Sequence, residues 1–592
     1  MKTAQSINWD LESIYPGGVQ SKKLEDQLAD LSKKISQLHK ELESEHEVNE
    51  LADIIQQIQK ASSYALQIDE YCICLSSDDI KDTKAMKLMD RSNHLQSQIK
   101  QLKLELEDQL NALSDPSWKR LLSLETMVPV RHYLMRLKEK AEDRLPKEVE
   151  SAINRLSLNG FSGWEDHYEQ WISQVEVEVN LEEGPQRLNA NEAMIQAMLS
   201  NDRSVRKTTS EAIEETCRKH ESNVASMINH LAGYRLELYS MRGWSLRKEL
   251  CDKNKITEPS LNAMMNALQN HKPYTQRFLE RKARLLGIEQ LSYYDMHTPV
   301  FHQQTKVTFD EAKKIIVEQF HTFSQDMGEF AEKAFEDGWI DAEPRKNKRF
   351  GAFCAAMPVE DESRILMSFE GNYQDVVTLA HELGHAYHNS ILQKEPAFSQ
   401  EQGTSLAETA STFTENLVLD AAIERAGTEE EKLSLLEMKI TNAVKYTTLI
   451  PSMFDFEQKF YELRKDAKMS PEELCNLCKS SEQKWTNESL EGYDHYKWMT
   501  VPHLFDTQEP FYNIPYTIGY LFSNSLYSLS KHKEAFPDLY REVLRKTGLL
   551  SIDQLGEEIL QYDLSNPDFW NESLSPLEEA IDLFLSKTNE YA

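Results

Sequence analysis

Residues 378–388 place three histidines and a glutamate inside a stretch that is otherwise rich in apolar residues. The order H-E-x-x-H gives His381, Glu382 and His385, and residues four apart lie on one face of a helix. Apolar side chains surround most of this helix, so we expect it to be buried. A fold that buries two imidazoles and a carboxylate in one helix must supply partners for them.

The two histidines can direct their imidazoles toward one point, as a tetrahedral zinc site requires. Glu382 stands next to the first histidine and can reach a water on the open side of such a metal. The alternative is a pair of core histidines that hydrogen-bond to each other without a metal. We interpret His388 as a packing residue or as one that supports a ligand.

A catalytic zinc site needs a third protein ligand. Position 391 is Ile, which excludes the third histidine of the longer H-E-x-x-H-x-x-G-x-x-H pattern. The carboxylate candidates are Glu401, Glu408 and Glu415. Glu408 has small neighbours that let two helices approach closely, so we predict it as the ligand. Glu415 lies seven residues later on the same face, and we predict that it orients a ligand histidine. The alternative is that all three are solvated surface carboxylates.

The chain has 592 residues and a net charge of −32, from 66 basic and 98 acidic residues. This length exceeds one hydrophobic core, so we expect two or more lobes, divided near residue 190 into 1–190 and 191–592. The acidity argues against nucleic-acid partners and against an anionic membrane surface. Simple solubility explains it, and a bias toward basic peptides is the weaker alternative.

The first eleven residues contain no apolar signal-peptide core, and no run of about 18 apolar residues predicts a membrane span. Seven scattered cysteines favour reduced thiols over a disulfide framework, so we expect a cytoplasmic protein. Cys475 and Cys478 form a lone C-x-x-C, which we interpret as helix packing.

Residues 20–115 repeat leucine and isoleucine at helical spacing, which predicts long antiparallel helices within the chain. A coiled-coil module for a partner protein is the alternative. Residues 145–171 predict a helix, a glycine turn and a second helix, and 175–179 alternate as a short strand. From 191 to 340 we expect helices with stops at Gly243, Pro259 and Pro273.

Two short strands, 349–354 and 364–369, are predicted immediately before the H-E-x-x-H helix. Zinc peptidases use an edge strand at this place to hold a substrate backbone. The equally acceptable alternative is a small hairpin that covers the core.

Several segments resemble one family of enzymes. Gln374–His388 is similar to the signature of the thimet-oligopeptidase-like metallopeptidases. The segments that resemble its oligoendopeptidase F branch are Trp9–Pro16, Leu156–Trp164, Leu406–Glu415 and Pro510–Phe522. The resemblance implies a mainly α, two-lobed helical ellipsoid with a deep substrate channel and one zinc ion per chain. It also implies endopeptidase action on short oligopeptides, and an N-terminal family segment at about 115–185.

The resemblance also assigns roles to individual residues. It implies that His381, His385 and Glu408 bind zinc and that Glu382 is the general base. A further set, His503 and Tyr520 with Tyr516 nearby, matches the family's pair that faces the substrate carbonyl.

Three other functions are compatible with the sequence. A metallocarboxypeptidase on a similar helical fold would need a cationic group for the terminal carboxylate. A zinc-stabilised peptide-binding protein without catalysis would not need Glu382. A helical interaction module could be built on residues 20–115.

The sequence leaves the oligomeric state open between a monomer and a homo-oligomer.

Overall fold

A computed structural model of the chain describes residues 7–302, 306–533 and 535–591. Helices account for 71 % of the residues, so the prediction of a mainly α protein is confirmed. The sequence predicts no signal peptide at the N-terminus. Residues 1–6 of that segment lie outside the described part of the chain. None of the described helices combines the length and the apolar composition that a membrane span requires.

Long α-helices dominate the chain, and short strands lie between some of them. The first eleven α-helices are α1 (Lys22–Leu42), α2 (Val48–Asp78), α3 (Thr83–Ala112), α4 (Asp115–Ser123), α5 (Arg131–Glu142), α6 (Lys147–Gly160), α7 (Ser162–Gln174), α8 (Ala190–Leu199), α9 (Arg203–Arg242), α10 (Lys248–Asn254) and α11 (Glu258–Leu285). The later α-helices are α12 (Phe309–Phe323), α13 (Gln325–Glu336), α14 (Tyr373–Leu392), α15 (Thr404–Arg425), α16 (Glu429–Val444), α17 (Ile450–Arg464), α18 (Pro471–Trp485), α19 (Lys497–Thr500), α20 (Ile514–Ser530), α21 (Phe536–Lys546), α22 (Ile552–Gln554) and α23 (Pro567–Lys587). The strands are β1 (Glu176–Leu181), β2 (Gly184–Asn189), β3 (Leu291–Ser292), β4 (Ile340–Asp341), β5 (Phe353–Met357), β6 (Glu362–Leu366) and β7 (Leu490–Gly492).

The chain forms two compact units, and each is assembled from three stretches. The first unit comprises Met1–Asp143, Gln303–Ala421 and Leu529–Gln561. The second unit comprises Arg144–His302, Ala422–Ser528 and Tyr562–Ala592. Residue 190 lies inside the second unit, so these units are not the two continuous lobes expected from the sequence. The division into an N-terminal helical lobe, 1–190, and a catalytic region, 191–592, stays a prediction.

The N-terminal helices of the first unit pack on one another through their apolar faces. Short connections join α1, α2 and α3, and contacts link all three pairs, so neighbouring helices are antiparallel, as predicted. The residues that carry the helical repeat in α1 are buried: Leu24, Leu28, Leu31, Ile35 and Leu38. The Ser114 side chain caps α4. These helices therefore use their repeat for the core of their own unit.

A three-stranded sheet lies against the H-E-x-x-H helix in the first unit. Its order is β4-β6-β5, with β5 antiparallel and β4 parallel to β6. Both β5 and β6 contact α14, so the prediction of a small sheet beside this helix is confirmed. Among the described strands, β5 pairs on one side only and forms an edge.

The second unit contains a β-hairpin of which the sequence predicts only half. β1 covers the predicted strand, while β2 pairs with it antiparallel from Gly184 onward. The Gly184-Pro185 pair looks like a break because proline cannot donate to a ladder. It begins the second strand instead, and Pro185 pairs with Asn180 near the hairpin turn. Val177 and Val179 point into a small core with Ala193.

Helix α11 continues through Pro273, where the sequence predicts a stop. A proline inside a helix costs roughly 3 kcal/mol because one hydrogen bond is lost. Residues before and after it are buried, and Phe278 packs edge-on against Phe584 of α23. The burial of this long face offsets the lost hydrogen bond. The other two predicted stops do mark helix boundaries. Gly243 terminates α9 at φ 67°, and Pro259 stands in the first turn of α11.

Candidate metal centre

The start of α14 is fixed by a reciprocal cap. The Asn372 side chain accepts a hydrogen bond from the Asp375 backbone N–H at 3.0 Å. The Asp375 carboxylate accepts from the N–H groups of Glu370, Gly371 and Asn372 at 2.7–3.2 Å. These hydrogen bonds fix where the helix that carries the two histidines begins.

Helices α14 and α15 approach closely because Gly384 has no side chain. A Cβ at Gly384 would lie 2.6 Å from Thr414 Oγ1 and 2.7 Å from the Ala410 carbonyl oxygen. Thr414 Oγ1 also donates to the Ala380 carbonyl of α14 at 2.8 Å. This contact places the glutamates of α15 beside the histidines of α14.

We expect Gly384→Ala to disturb the cluster without touching any of its side chains. The added methyl group overlaps backbone of α15, so the helices must separate, at a cost of about 1–3 kcal/mol. Thermal unfolding should reveal this loss, and calorimetric zinc titration should show weaker binding. Gly163→Ala is the matched control, since its Cβ would meet nothing closer than 3.8 Å. Equal zinc affinity for Gly384→Ala and the unchanged protein would show that the close approach is not needed.

Three electron-pair donors converge between these two helices. His381 Nε2 and His385 Nε2 lie 3.1 Å apart, and Glu408 Oε2 lies 3.5 and 3.7 Å from them. Ligands of a tetrahedral zinc at its usual bond lengths are separated by about 3.3 Å. The residues present therefore fit a zinc ion, and among the described residues they are the group of three that could hold a metal.

Two neighbouring groups hold the donors in place. Glu415 Oε1 accepts a hydrogen bond from His381 Nδ1 at 2.6 Å, which leaves Nε2 directed at the cluster. Ser411 Oγ donates to Glu408 Oε2 at 2.9 Å. The side chains of His381 and Glu408 are about four-fifths buried, at 22 % and 20 % exposed. The cluster is thus both ordered and partly shielded from water.

The electrostatics of the cluster favour a bound positive charge. Burial opposes a proton on His381, but its hydrogen bond to Glu415 and the surrounding carboxylates prevail and raise its pKa to about 9. Burial and the nearby His381 lower the pKa of His385 to about 4. His381 therefore lies in an electrostatic field that attracts a cation, whereas His385 is kept as a neutral base. Both properties suit metal ligation.

Glu382 lies next to this cluster, and one oxygen of its carboxylate is buried. The residue is 5 % exposed, and its buried Oε2 has no hydrogen-bond partner among the described residues. Burial raises its pKa to about 7, with the carboxylates of Glu408 and Glu415 acting in the same direction. A carboxyl group with this pKa can both take and give a proton near neutral pH.

Two residues considered in the sequence lie outside the cluster. Glu401 forms an ion pair with Lys103, so it is not a metal ligand. His388 is buried, with Nε2 2.8 Å from Thr547 Oγ1 and 3.2 Å from the Leu544 carbonyl, which supports the packing interpretation.

His503 belongs to the second unit and is held between polar and aromatic groups. Its Nδ1 lies 2.7 Å from Asn513 Oδ1. Its ring stacks on Tyr512 at 4.1 Å and lies 6.5 Å from the ring of Tyr516. Two of the predicted carbonyl-facing residues, His503 and Tyr516, are therefore neighbours.

Tyr520 is one helical turn beyond Tyr516 and has a different neighbour. Its ring stacks on Tyr446 at 4.6 Å. Tyr446 lies in a single π-helical turn, Lys445–Leu449, and its carbonyl accepts from Thr517 Oγ1 at 2.7 Å. Such turns are frequent at functional sites because they expose side chains and carbonyls that a regular helix would hide.

The sequence did not indicate two residues that organise these sites. Gly384 occupies the second variable position of the motif, after Leu383, and its only signal is its small size. Asn513 sits in an aromatic segment, Pro510–Phe522, where nothing marks it as the partner of His503. Both act through a contact that exists only after folding.

A mainly helical protein whose H-E-x-x-H helix meets a glutamate on the next helix has the features of a metallopeptidase. The model of peptidase family M3 matches residues 196–575, and the model of oligopeptidase F matches residues 109–176. The first match alone spans more than half of the sequence, so the chain belongs to peptidase family M3.

Relatives and solved structures agree with this family. An oligoendopeptidase F homolog of Lactococcus lactis subsp. lactis (strain IL1403) is 23 % identical over 534 residues, which cover 87 % of this chain and 86 % of the relative. The crystal structure of oligoendopeptidase-F from Enterococcus faecium matches with a TM-score of 0.70 at 17 % identity, over 96 % of this chain and 99 % of the other. A solved structure from Chlamydophila abortus gives a TM-score of 0.79 at 18 % identity over 99 % of both chains. The expected resemblance to oligoendopeptidase F is confirmed.

Proposed function

We propose that this protein is a zinc-dependent endopeptidase that hydrolyses internal bonds of short oligopeptides. The observation that carries the proposal is the convergence of His381, His385 and Glu408 beside Glu382, whose buried Oε2 has no hydrogen-bond partner among the described residues. Membership of peptidase family M3 supports peptide hydrolysis as the reaction. The cytoplasmic location inferred from the cysteines stays a prediction.

The two imidazoles and the Glu408 carboxylate would hold the zinc ion, with Glu415 orienting His381. Zinc held by three protein ligands supplies Lewis-acid activation of a water molecule and of the peptide carbonyl. The donor set of two nitrogens and one oxygen is one that zinc commonly takes in hydrolases. Glu408 contributes a negative charge that helps to balance the ion.

Glu382 moves the protons of the reaction in this proposal. Its carboxylate takes a proton from the attacking water and later gives it to the amine that leaves. Burial supports this role, since it raises the pKa of Glu382 toward neutrality and keeps one oxygen without a partner among the described residues. A carboxylate already paired with a cation would be a weaker base.

His503 and Tyr520 are proposed to donate hydrogen bonds to the substrate carbonyl, where negative charge develops during attack. Tyr516 lies near His503 and could serve in place of Tyr520. The edge of strand β5 is proposed to bind the substrate backbone. The alternative is that this strand only covers the core.

The proposed activity is tested with one internally quenched peptide in two forms, a free acid and a C-terminal amide. An endopeptidase should cleave both at the same internal bond, and mass spectrometry of the products identifies that bond. The same sample should contain about one zinc ion per chain, and chelation should abolish cleavage. Cleavage of the free acid alone, from its end, would indicate a carboxypeptidase. Zinc without any hydrolysis would indicate a peptide-binding protein.

We expect Glu415→Gln to weaken zinc binding roughly 10–100-fold. The amide can still accept from His381 Nδ1–H, but it lacks the charge that strengthens the imidazole as a ligand. Competition with a zinc chelator of known affinity measures the change. Glu424→Gln, on the exposed part of α15, is the matched control and should bind zinc as the unchanged protein does. Unaltered affinity in Glu415→Gln would remove the proposed support role.

Tyr520→Phe should lower kcat about 10²–10³-fold with little change in KM. The phenol hydroxyl is proposed to act on charge that is present mainly in the transition state, whereas the ring can keep its stacking on Tyr446. Steady-state kinetics on the quenched peptide tests this, with Tyr516→Phe made in parallel. If only Tyr516→Phe is impaired, the donor is Tyr516 and the assignment to Tyr520 is wrong.

A further inference from the structure

The second unit contains a cavity of about 470 Å³ with a largely apolar wall. This volume is in the range of small-molecule binding sites. Its apolar lining includes Met194, Met198, Met296, Leu449, Ile450 and Met453. Met198 is 40 % exposed, so the cavity reaches the surface of the protein.

Four residues of the cavity wall are methionines, which suits a site that accepts side chains of different shape. Methionine is unbranched and polarizable, so it adapts to an occupant more readily than leucine or valine. Leu199, on the same helix α8 as Met194 and Met198, is also apolar and is 63 % exposed. Exposed large apolar side chains in one place are typical of binding surfaces.

The charged groups of the cavity wall balance one another. Lys497 Nζ pairs with Glu482 Oε1 at 2.7 Å, and Glu482 Oε2 accepts from the Asp494 backbone N–H at 2.8 Å. Lys445 and Asp494 add one charge of each sign. Burial and nearby lysines lower the pKa of His297 to about 4, so this histidine is neutral at neutral pH. A wall of two cations and two carboxylates favours an uncharged occupant.

Asn513 connects the cavity to His503. It lines the cavity, and its Oδ1 lies 2.7 Å from His503 Nδ1. Its Nδ2 is buried and has no partner among the described residues. A buried N–H donor without an acceptor is costly unless a ligand supplies one. The peptide carbonyl of a bound residue is such an acceptor.

We propose that this cavity receives a large apolar side chain of the peptide substrate, and that Asn513 Nδ2 donates to the backbone carbonyl of that residue. The inference rests on the proposed peptidase function and adds a preference for the type of substrate side chain that the cavity accepts. The cavity then adjoins the histidine that is proposed to face the scissile carbonyl, with Asn513 between them. Phenylalanine, leucine and methionine should be favoured at one fixed position relative to the cleaved bond.

Cleavage of a mixed peptide pool by the zinc-loaded protein, followed by mass spectrometry, tests the preference. Met194→Trp should fill the cavity and lower kcat/KM about tenfold or more for peptides with a large apolar residue at that position. Peptides with alanine there should be cleaved at an unchanged rate. Ile195→Trp is the matched control on the same helix and should retain the preference, since Ile195 does not line the cavity.

Binding of N-acetyl-phenylalanine amide, measured by saturation-transfer NMR, tests the cavity even if no peptide is cleaved. The signal should be strong with the unchanged protein and Ile195→Trp, and at least several times weaker with Met194→Trp. Equal signals in all three proteins would overturn the inference. So would identical cleavage preferences in Met194→Trp and the unchanged protein, or a preference for lysine or arginine, which would assign the site to Asp494. Failure of cleavage with an intact NMR result would count against the proposed function alone.

Discussion

Glu382→Gln should lower kcat at least about 10³-fold while the protein keeps its zinc. The amide has nearly the shape of the carboxylate but cannot take a proton from water at neutral pH. Glu382 is not one of the three clustered donors, so metal content should stay at about one ion per chain. Steady-state hydrolysis of the quenched peptide, together with elemental analysis of the same preparation, measures both quantities.

The matched control for this variant is Glu401→Gln, which makes the same chemical change at a half-exposed residue. Glu401 pairs with Lys103 and lies outside the cluster, so activity should stay within about twofold of the unchanged protein. Full activity in Glu382→Gln would contradict the general-base role. Loss of both activity and zinc would instead show that Glu382 is needed to form the metal site.

Glu408→Ala should remove the zinc and reduce hydrolysis to the level of the chelated protein. Two imidazoles alone leave a metal with one protein ligand fewer than a catalytic zinc site uses. The variant also removes the negative charge that stands 3.5 and 3.7 Å from the two Nε2 atoms. Elemental analysis after dialysis against a weak chelator should give less than about one tenth of an ion per chain.

Glu424→Ala, at an exposed position of the same helix, is the control for Glu408→Ala and should retain both zinc and activity. Far-ultraviolet circular dichroism on both variants separates metal loss from unfolding. A folded Glu408→Ala protein that still holds one zinc ion and cleaves peptide would show that another carboxylate is the third ligand.

The metal cluster could be predicted because its information is local. The i, i+4 spacing of His381 and His385 fixes their common face, and an N-cap with a nearby acidic residue fixes where the helix begins. The choice of Glu408 among three carboxylates followed from small neighbours on α15. The structure brings Glu408 to the histidines and leaves Glu401 with Lys103.

Other features depend on contacts between distant stretches and left no clear signal in the sequence. Gly384 matters because Thr414 of another helix lies against it, and Asn513 because His503 comes within hydrogen-bond distance. The predicted helix stop at Pro273 was wrong because the long-range packing of α11 outweighs the hydrogen bond that the proline removes. The two compact units also depend on contacts between distant stretches, since each unit joins three stretches that are far apart in the chain.

Anomalous X-ray diffraction at the zinc absorption edge, on crystals of the zinc-loaded protein, tests the proposed metal centre most directly. One peak should lie within about 2.0–2.2 Å of His381 Nε2, His385 Nε2 and a Glu408 oxygen, with the fourth position open to solvent. A peak elsewhere, or a fourth ligand supplied by the protein, would contradict a hydrolytic zinc centre at this helix pair.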